Sequence, residues 1–151
     1  MRIKLTHAML VAVCALLLLG CNTSPLSPSD MVHLGSTANP NETKDFYAGN
    51  PDATSAGVFT VPADRVLVII NVIIHPLSPG PGILDITMIQ SDASLGDRIR
   101  QTWHVPNSQP TQFDFSPGEV ISSGSKLMMK NESSSPGRVH VSFFGYVTPV
   151  D

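Results

Sequence analysis

Cysteine is nearly absent: the 151 residues hold two, Cys14 and Cys21, and the first lies inside an apolar run near the start of the chain. That supply can build neither a disulfide framework nor a cysteine-rich zinc site. Positive charge is scarce as well. Nine Lys and Arg stand against twelve Asp and Glu, giving a net charge of −3. No like-charged block occurs, which argues against nucleic acid or anionic headgroups as electrostatic partners. The longest apolar run, residues 8–19, has twelve residues, too few for a membrane-spanning helix of about 20. A glycine-rich phosphate loop, a G-x-S-x-G nucleophile elbow and an H-x-H metal pair are all missing.

What is present begins at the N-terminus. Arg2 and Lys4 precede the apolar run, and small residues close it, the layout of a secretory signal peptide. The run ends in Leu18-Leu19-Gly20-Cys21 and leads into the polar stretch NTSPLSPSD. Those four residues resemble the lipobox of bacterial lipoproteins, and the match covers residues 1–21 only. By that resemblance Cys21 becomes the mature N-terminus and carries the lipid, palmitate included. The alternatives are an ordinary signal peptide with an incidental cysteine and an uncleaved anchor. Cysteine use favours the lipobox, because Cys14 leaves with the leader and a lone unmodified thiol is a liability in an oxidising compartment. Asn22 stands where an aspartate is associated with inner-membrane retention in Gram-negative lipoproteins. The expected location is therefore the cell envelope, outer membrane rather than inner.

Removing residues 1–20 leaves 131 residues and takes the charge from −3 to −5, a length suited to one domain with a modest core. Composition divides the remainder near residue 56. Residues 21–56 are rich in Ser, Thr, Asn, Pro and Gly, which reads as a lipidated cysteine on a disordered tether. Within it Phe46 and Tyr47 are exceptions, with a short strand around 44–48 docking on the domain that the tether carries. The segments at Asn22, Asn41 and Asn131 match the N-glycosylation pattern and read as chance in a chain rich in Asn, Ser and Thr.

Residues 57–151 alternate apolar runs with turn signals, the pattern of an antiparallel β-sandwich. In RVLVIINVIIH, residues 65–75, the positions Val66, Val68, Ile70, Val72 and Ile74 share one parity and are all β-branched. They predict a strand with that face in the core. PLSPGPG breaks it, and ILDITMIQ reads as the second arm of a hairpin with a long loop. Ile99, Gln101, Trp103 and Val105 alternate with Arg98, Arg100, Thr102 and His104, and Phe113 and Phe115 with Gln112 and Asp114. On the closing strand Val139, Val141, Phe143 and Val147 share the inward parity. Six to eight short strands in about 95 residues fit an all-β, antiparallel Greek-key or jelly-roll sandwich, and the progression from VPADRVLVI to FFGYV resembles small exported jelly-roll domains.

Chemistry is thin in this sequence. Ser123-Gly124-Ser125-Lys126 satisfies S-x-x-K, yet no S-D-N or K-T-G follows and the motif lies between strands, so it reads as a turn. His75, His104 and His140 fall on strands without metal-ligand spacing. Arg98, Arg100 and His104 on one strand, with Arg138, His140, Phe144 and Tyr146 on the closing strand, are the residue types that carry energy at interfaces. They form the candidate binding set. The sequence therefore predicts a lipid-anchored, non-catalytic binding or assembly module with no cofactor or metal. Its partners are the membrane through Cys21 and an envelope protein or a glycan, with an oligomer allowed and nucleic acid excluded. The alternative is a small periplasmic hydrolase or metal-dependent enzyme using His75, His104 and His140.

Overall fold

The structure is a computed structural model that describes residues 30–49, 57–133 and 137–150. Nine strands follow in chain order: β1 (Met31–Ala38), β2 (Thr43–Asp45), β3 (Tyr47–Ala48), β4 (Arg65–Pro76), β5 (Ile83–Asp92), β6 (Gly96–Pro106), β7 (Thr111–Ile121), β8 (Lys126–Asn131) and β9 (Val139–Pro149). They form two antiparallel sheets, β3-β1-β9-β4-β7 and β2-β8-β5-β6. Apart from the short β3, each sheet has four strands and the chain crosses between sheets at most connections. That is the jelly-roll arrangement, and the expected fold class holds.

The core lies between the sheets. Leu67, Ile69, Val72 and Ile74 of β4, Val139, Val141, Phe143 and Val147 of β9, and Leu84, Ile86 and Met88 of β5 are all buried in it. Trp103 sits with its ring centroid 5.9 Å from Phe113, 6.5 Å from Phe115 and 6.3 Å from Phe143. Aromatic clusters of this kind contribute beyond the area they bury.

Three expectations need correction. First, the tether is not all tether. Residues 30–49 build β1, β2 and β3; β1 pairs with the closing strand along its whole length, from Met31↔Tyr146 to Ala38↔Val139. Leu34, Ala38 and Phe46 are buried in the core. The folded domain thus starts near residue 30 rather than 57, while residues 21–29 and 50–56 of the expected tether lie outside the described residues.

Second, β4 does not keep one parity. Its register shifts between Ile69 and Asn71 against both neighbours, leaving Ile70 as the extra residue of a β-bulge. The inward side is Leu67 and Ile69 before the bulge and Val72 and Ile74 after it. Val66 and Val68 therefore face away from the core cluster. A similar shift between Met88 and Ile89 leaves Ile99 of β6 72 % exposed.

Third, β4 and β5 do not form a hairpin. They belong to different sheets, and PLSPGPG carries the chain from one to the other. Of the strands from β4 onward, only β5 and β6 are consecutive neighbours in one sheet.

Candidate functional site

The chain leaves β1 through a tight corner whose polar side chains close on one another. Asn39 donates to one carboxylate oxygen of Glu42 through its backbone N–H, at 2.9 Å, and through its side-chain amide, at 3.0 Å. The other oxygen of Glu42 lies 2.6 Å from Lys44 Nζ. Asn41 takes a left-handed φ of 59°, which Asn tolerates better than most residues. The corner is pinned to β8 by Asn41 N–H donating to the Asn131 carbonyl (2.7 Å) and Asn131 N–H to the Glu42 carbonyl (3.0 Å). Below it, Ser36 donates from Oγ to the Asp45 carbonyl at 2.7 Å, tying β1 to β2.

Around this corner lies a cleft of about 310 Å³ lined by Ser36, Thr37, Asn39, Glu42, Lys44, Tyr47 and Arg138. β1 supplies the first two, the corner and β2 supply Asn39, Glu42 and Lys44, and Tyr47 comes from β3, where it pairs with Gly35. Arg138 precedes β9 and its carbonyl accepts from Leu77 N–H at 2.7 Å. The hydrogen bond from Lys44, and then those from Asn39, hold the Glu42 carboxyl below the usual carboxylate range. Glu42 in turn raises Lys44. This pair is therefore an internally balanced wall of the cleft.

Two residues of the sequence-derived binding set belong here. Arg138 lines the cleft, and His140 lies next to it, with Nδ1 2.9 Å from Thr37 Oγ1 and Nε2 3.1 Å from Ser142 Oγ. Phe144 lies farther along β9 and stacks on His33 of β1, with centroids 4.4 Å apart and planes 6° from parallel. Tyr146 is half-buried and registers with Met31 and Val68. Arg98, Arg100 and His104 are elsewhere. They project from the four-stranded sheet, whereas the β9 residues project from the five-stranded one, so the seven residues form no single face. Arg100 reaches across the sandwich edge to Glu119 and the Val120 carbonyl, His104 pairs with Asp85, and Arg98 is exposed.

The alternative centre on His75, His104 and His140 fails on placement. His75 and His140 are register partners on β4 and β9, but His104 belongs to the other sheet. Among the described residues no group of three or more His, Cys, Asp or Glu could hold a metal ion. The S-x-x-K segment is a turn: Gly124 has φ 73°, Ser125 is buried and accepts from Gln90 Nε2 at 2.8 Å, and Lys126 opens β8. Of the glycosylation patterns, Asn131 is buried and donates to the Gly137 carbonyl at 3.0 Å, and Asn41 belongs to the corner. Cys21 and Asn22 lie outside the described residues.

Sequence reasoning named none of Ser36, Thr37, Asn39, Glu42, Lys44 and Tyr47 as site residues, because they sit in the stretch that reads as linker; the strand expected around 44–48 is present as β2 and β3, with Phe46 buried between them. The available signal was Asn-Pro-Asn-Glu, a turn pattern, with Lys44 and the Phe46-Tyr47 pair close behind it.

No family model matches the chain, and no curated protein matches it. Solved structures do. The globular domain of zebrafish complement 1qA protein aligns over 78 % of this chain and 95 % of its own, with 12 % identity and a TM-score of 0.44. The Clostridium thermocellum endo-1,4-beta-D-xylanase 10B modules CBM22-1 and GH10, complexed with xylohexaose, align over 83 % of this chain and 27 % of their own, with 10 % identity and a TM-score of 0.39.

Proposed function

We propose that the protein is a lipid-anchored envelope protein that acts as a non-catalytic binding module, with the cleft at the β1–β2 corner as its ligand site. The observation that carries this reading is the lining of the cleft. Its side chains are hydroxyl, amide, charged or phenolic, and the groups of its wall are preset by bonds among themselves. Such a surface recognises a polar ligand by hydrogen bonding and loses little entropy on doing so. It is poorly suited to catalysis. Glu42, the carboxylate of the lining, has both oxygens engaged and is held in its anionic form, so it is a weak proton acceptor.

The expected ligand is a glycan or another small polar component of the envelope. Anchoring rests on the lipobox resemblance at Cys21. The test is a screen of the lipidated protein, held in detergent, against a panel of envelope glycans. Binding should be lost in Tyr47→Ala and weakened in Thr37→Ala, with the melting temperature preserved. Binding that survives both changes would remove the cleft from consideration.

A further inference from the structure

We infer that the cleft takes a sugar bearing a carboxylate, held through Arg138; this rests on the cleft being the ligand site proposed above. Three charged side chains line it. Glu42 and Lys44 neutralise each other at 2.6 Å, and the remaining bonds to Glu42 come from Asn39. Arg138 is the charge left over. Arg65 is paired with Asp30 and Arg100 with Glu119; the Arg138 guanidinium, like that of exposed Arg98 on the other sheet, makes no ion pair or side-chain hydrogen bond among the described residues, and of these two only Arg138 lines the cleft. A planar fork of N–H donors that no described residue engages, on the wall of a cleft, matches a carboxylate in bidentate fashion. The cation is local rather than part of a general basic surface, since acidic residues outnumber basic ones in this chain.

The single excess positive charge also selects the anion. It balances a monoanion, and a doubly charged phosphate would leave one charge uncompensated. Thr37, Ser36, Asn39 and Tyr47 supply hydroxyl, amide and phenol groups around the fork, which suit the hydroxyls of a sugar ring more than a bare aliphatic acid. A volume of about 310 Å³ is at the small end for ligand sites, so the occupant is one or two rings rather than a long chain.

The experiment is calorimetric titration of the lipidated protein in detergent with glucuronate and a galacturonate disaccharide, against their neutral parent sugars, acetate and inorganic phosphate. The acidic sugars should bind at least tenfold more tightly than the neutral ones, and added salt should weaken only the acidic ones. Arg138→Ala should erase the difference without moving the melting temperature, because Arg138 is exposed and its structural bond is through its backbone. Arg138→Lys should restore part of it. Equal binding of acidic and neutral sugars, abolished by Tyr47→Ala but indifferent to Arg138→Ala, would overturn the charge assignment and leave the cleft as the site. Phosphate or acetate binding as tightly as the acidic sugars would overturn the sugar assignment. If none of these sugars binds, this inference falls; the reading beneath it falls with it only when the envelope glycan panel also yields no ligand that Tyr47→Ala releases.

Discussion

The ring of Phe46 stacks on that of Phe143, with centroids 4.4 Å apart and planes inclined by 30°. Phe46 lies between the two shortest strands, β2 and β3, and Phe143 lies on the closing strand, so the two ends of the domain meet in one core contact. Phe46→Ala should cost about 3 to 5 kcal/mol through lost burial and the cavity left behind, a large share of the stability of a domain this size. Urea unfolding would show it. A chain truncated to residues 57–151 should fail to unfold cooperatively, and one spanning residues 30–151 should succeed. Equal unfolding curves for the two would mean that β1, β2 and β3 are dispensable.

Gly145 and Gly118 flank the β4 bulge from either side. A methyl group on Gly145 would penetrate the Val68 carbonyl, and one on Gly118 would overlap the Val68 side chain. Gly145→Ala should therefore prevent folding or cost several kcal/mol, because the obstacle is backbone. Gly124→Ala is the control: its φ is 73° and nothing stands nearby, so the cost should be about 1 to 2 kcal/mol of backbone strain. A thermal melt of each variant separates them, and a Gly145→Ala protein as stable as Gly124→Ala would rule out the close approach.

Three surface carboxyls are held below their usual range: Glu42 by Lys44 and then Asn39, Asp92 by the hydroxyl and amide of Ser94, and Glu132 by Lys130 and then Thr87. A carboxyl depressed by folding stabilises the native state fully above its unfolded value, near 4, and loses that contribution as pH falls through the folded value. The urea midpoint should thus be level from pH 7 to about 5 and decline below about 4. Asp92→Asn should make the decline shallower, and each effect should be small because water screens all three groups. A midpoint that rises on acidification contradicts the assignment.

Cys21→Ser should abolish palmitate labelling and leave the leader uncleaved by the lipoprotein route, since the thiol is the proposed acylation point. Labelling that persists in the variant would sink the anchor.

Phe144→Ser removes a ring that lies flat on His33, on the outer face of the five-stranded sheet. The expected loss is about 0.5 to 1.5 kcal/mol for the stack, besides the burial it forfeits, well short of the loss at Phe46. A melting temperature unchanged from the parent would show that the stack contributes nothing in solution.

The strands that carry dense β-branched runs were legible in the sequence. β4 and β9 stand where expected, and Val139, Val141, Phe143 and Val147 are buried together. The bulge at Ile70 was not legible, because the even positions from Val66 to Ile74 are apolar without a break, and Asn71 on the other parity reads as an outward residue of a regular strand. β1 was hidden for another reason. MVHLGSTA has few large apolar residues, and its inward positions include Ser36, which is buried and satisfied by the Asp45 carbonyl; a strand that fills its core face with small or polar groups looks like a linker. The Pro/Gly stretch between β4 and β5 fixes a break in the chain but not whether the next strand returns to the same sheet. Of the site, Arg138 and His140 were visible as interface residue types, while the wall they face is built by the segment whose folding was concealed.

β1 also sets a distance. It starts at Met31, beside the Arg65–Asp30 ion pair at 2.9 Å, and ends at Ala38 next to the corner that bounds the cleft. Eight extended residues at about 3.3 Å each span roughly 26 Å. Held at Cys21 as proposed, the chain enters the sandwich at one pole and presents its cleft at the other. With the anchor proposed at Cys21, the strand that closes the fold against β9 would also act as a spacer, setting the proposed ligand site about its own length from the point where the described chain begins.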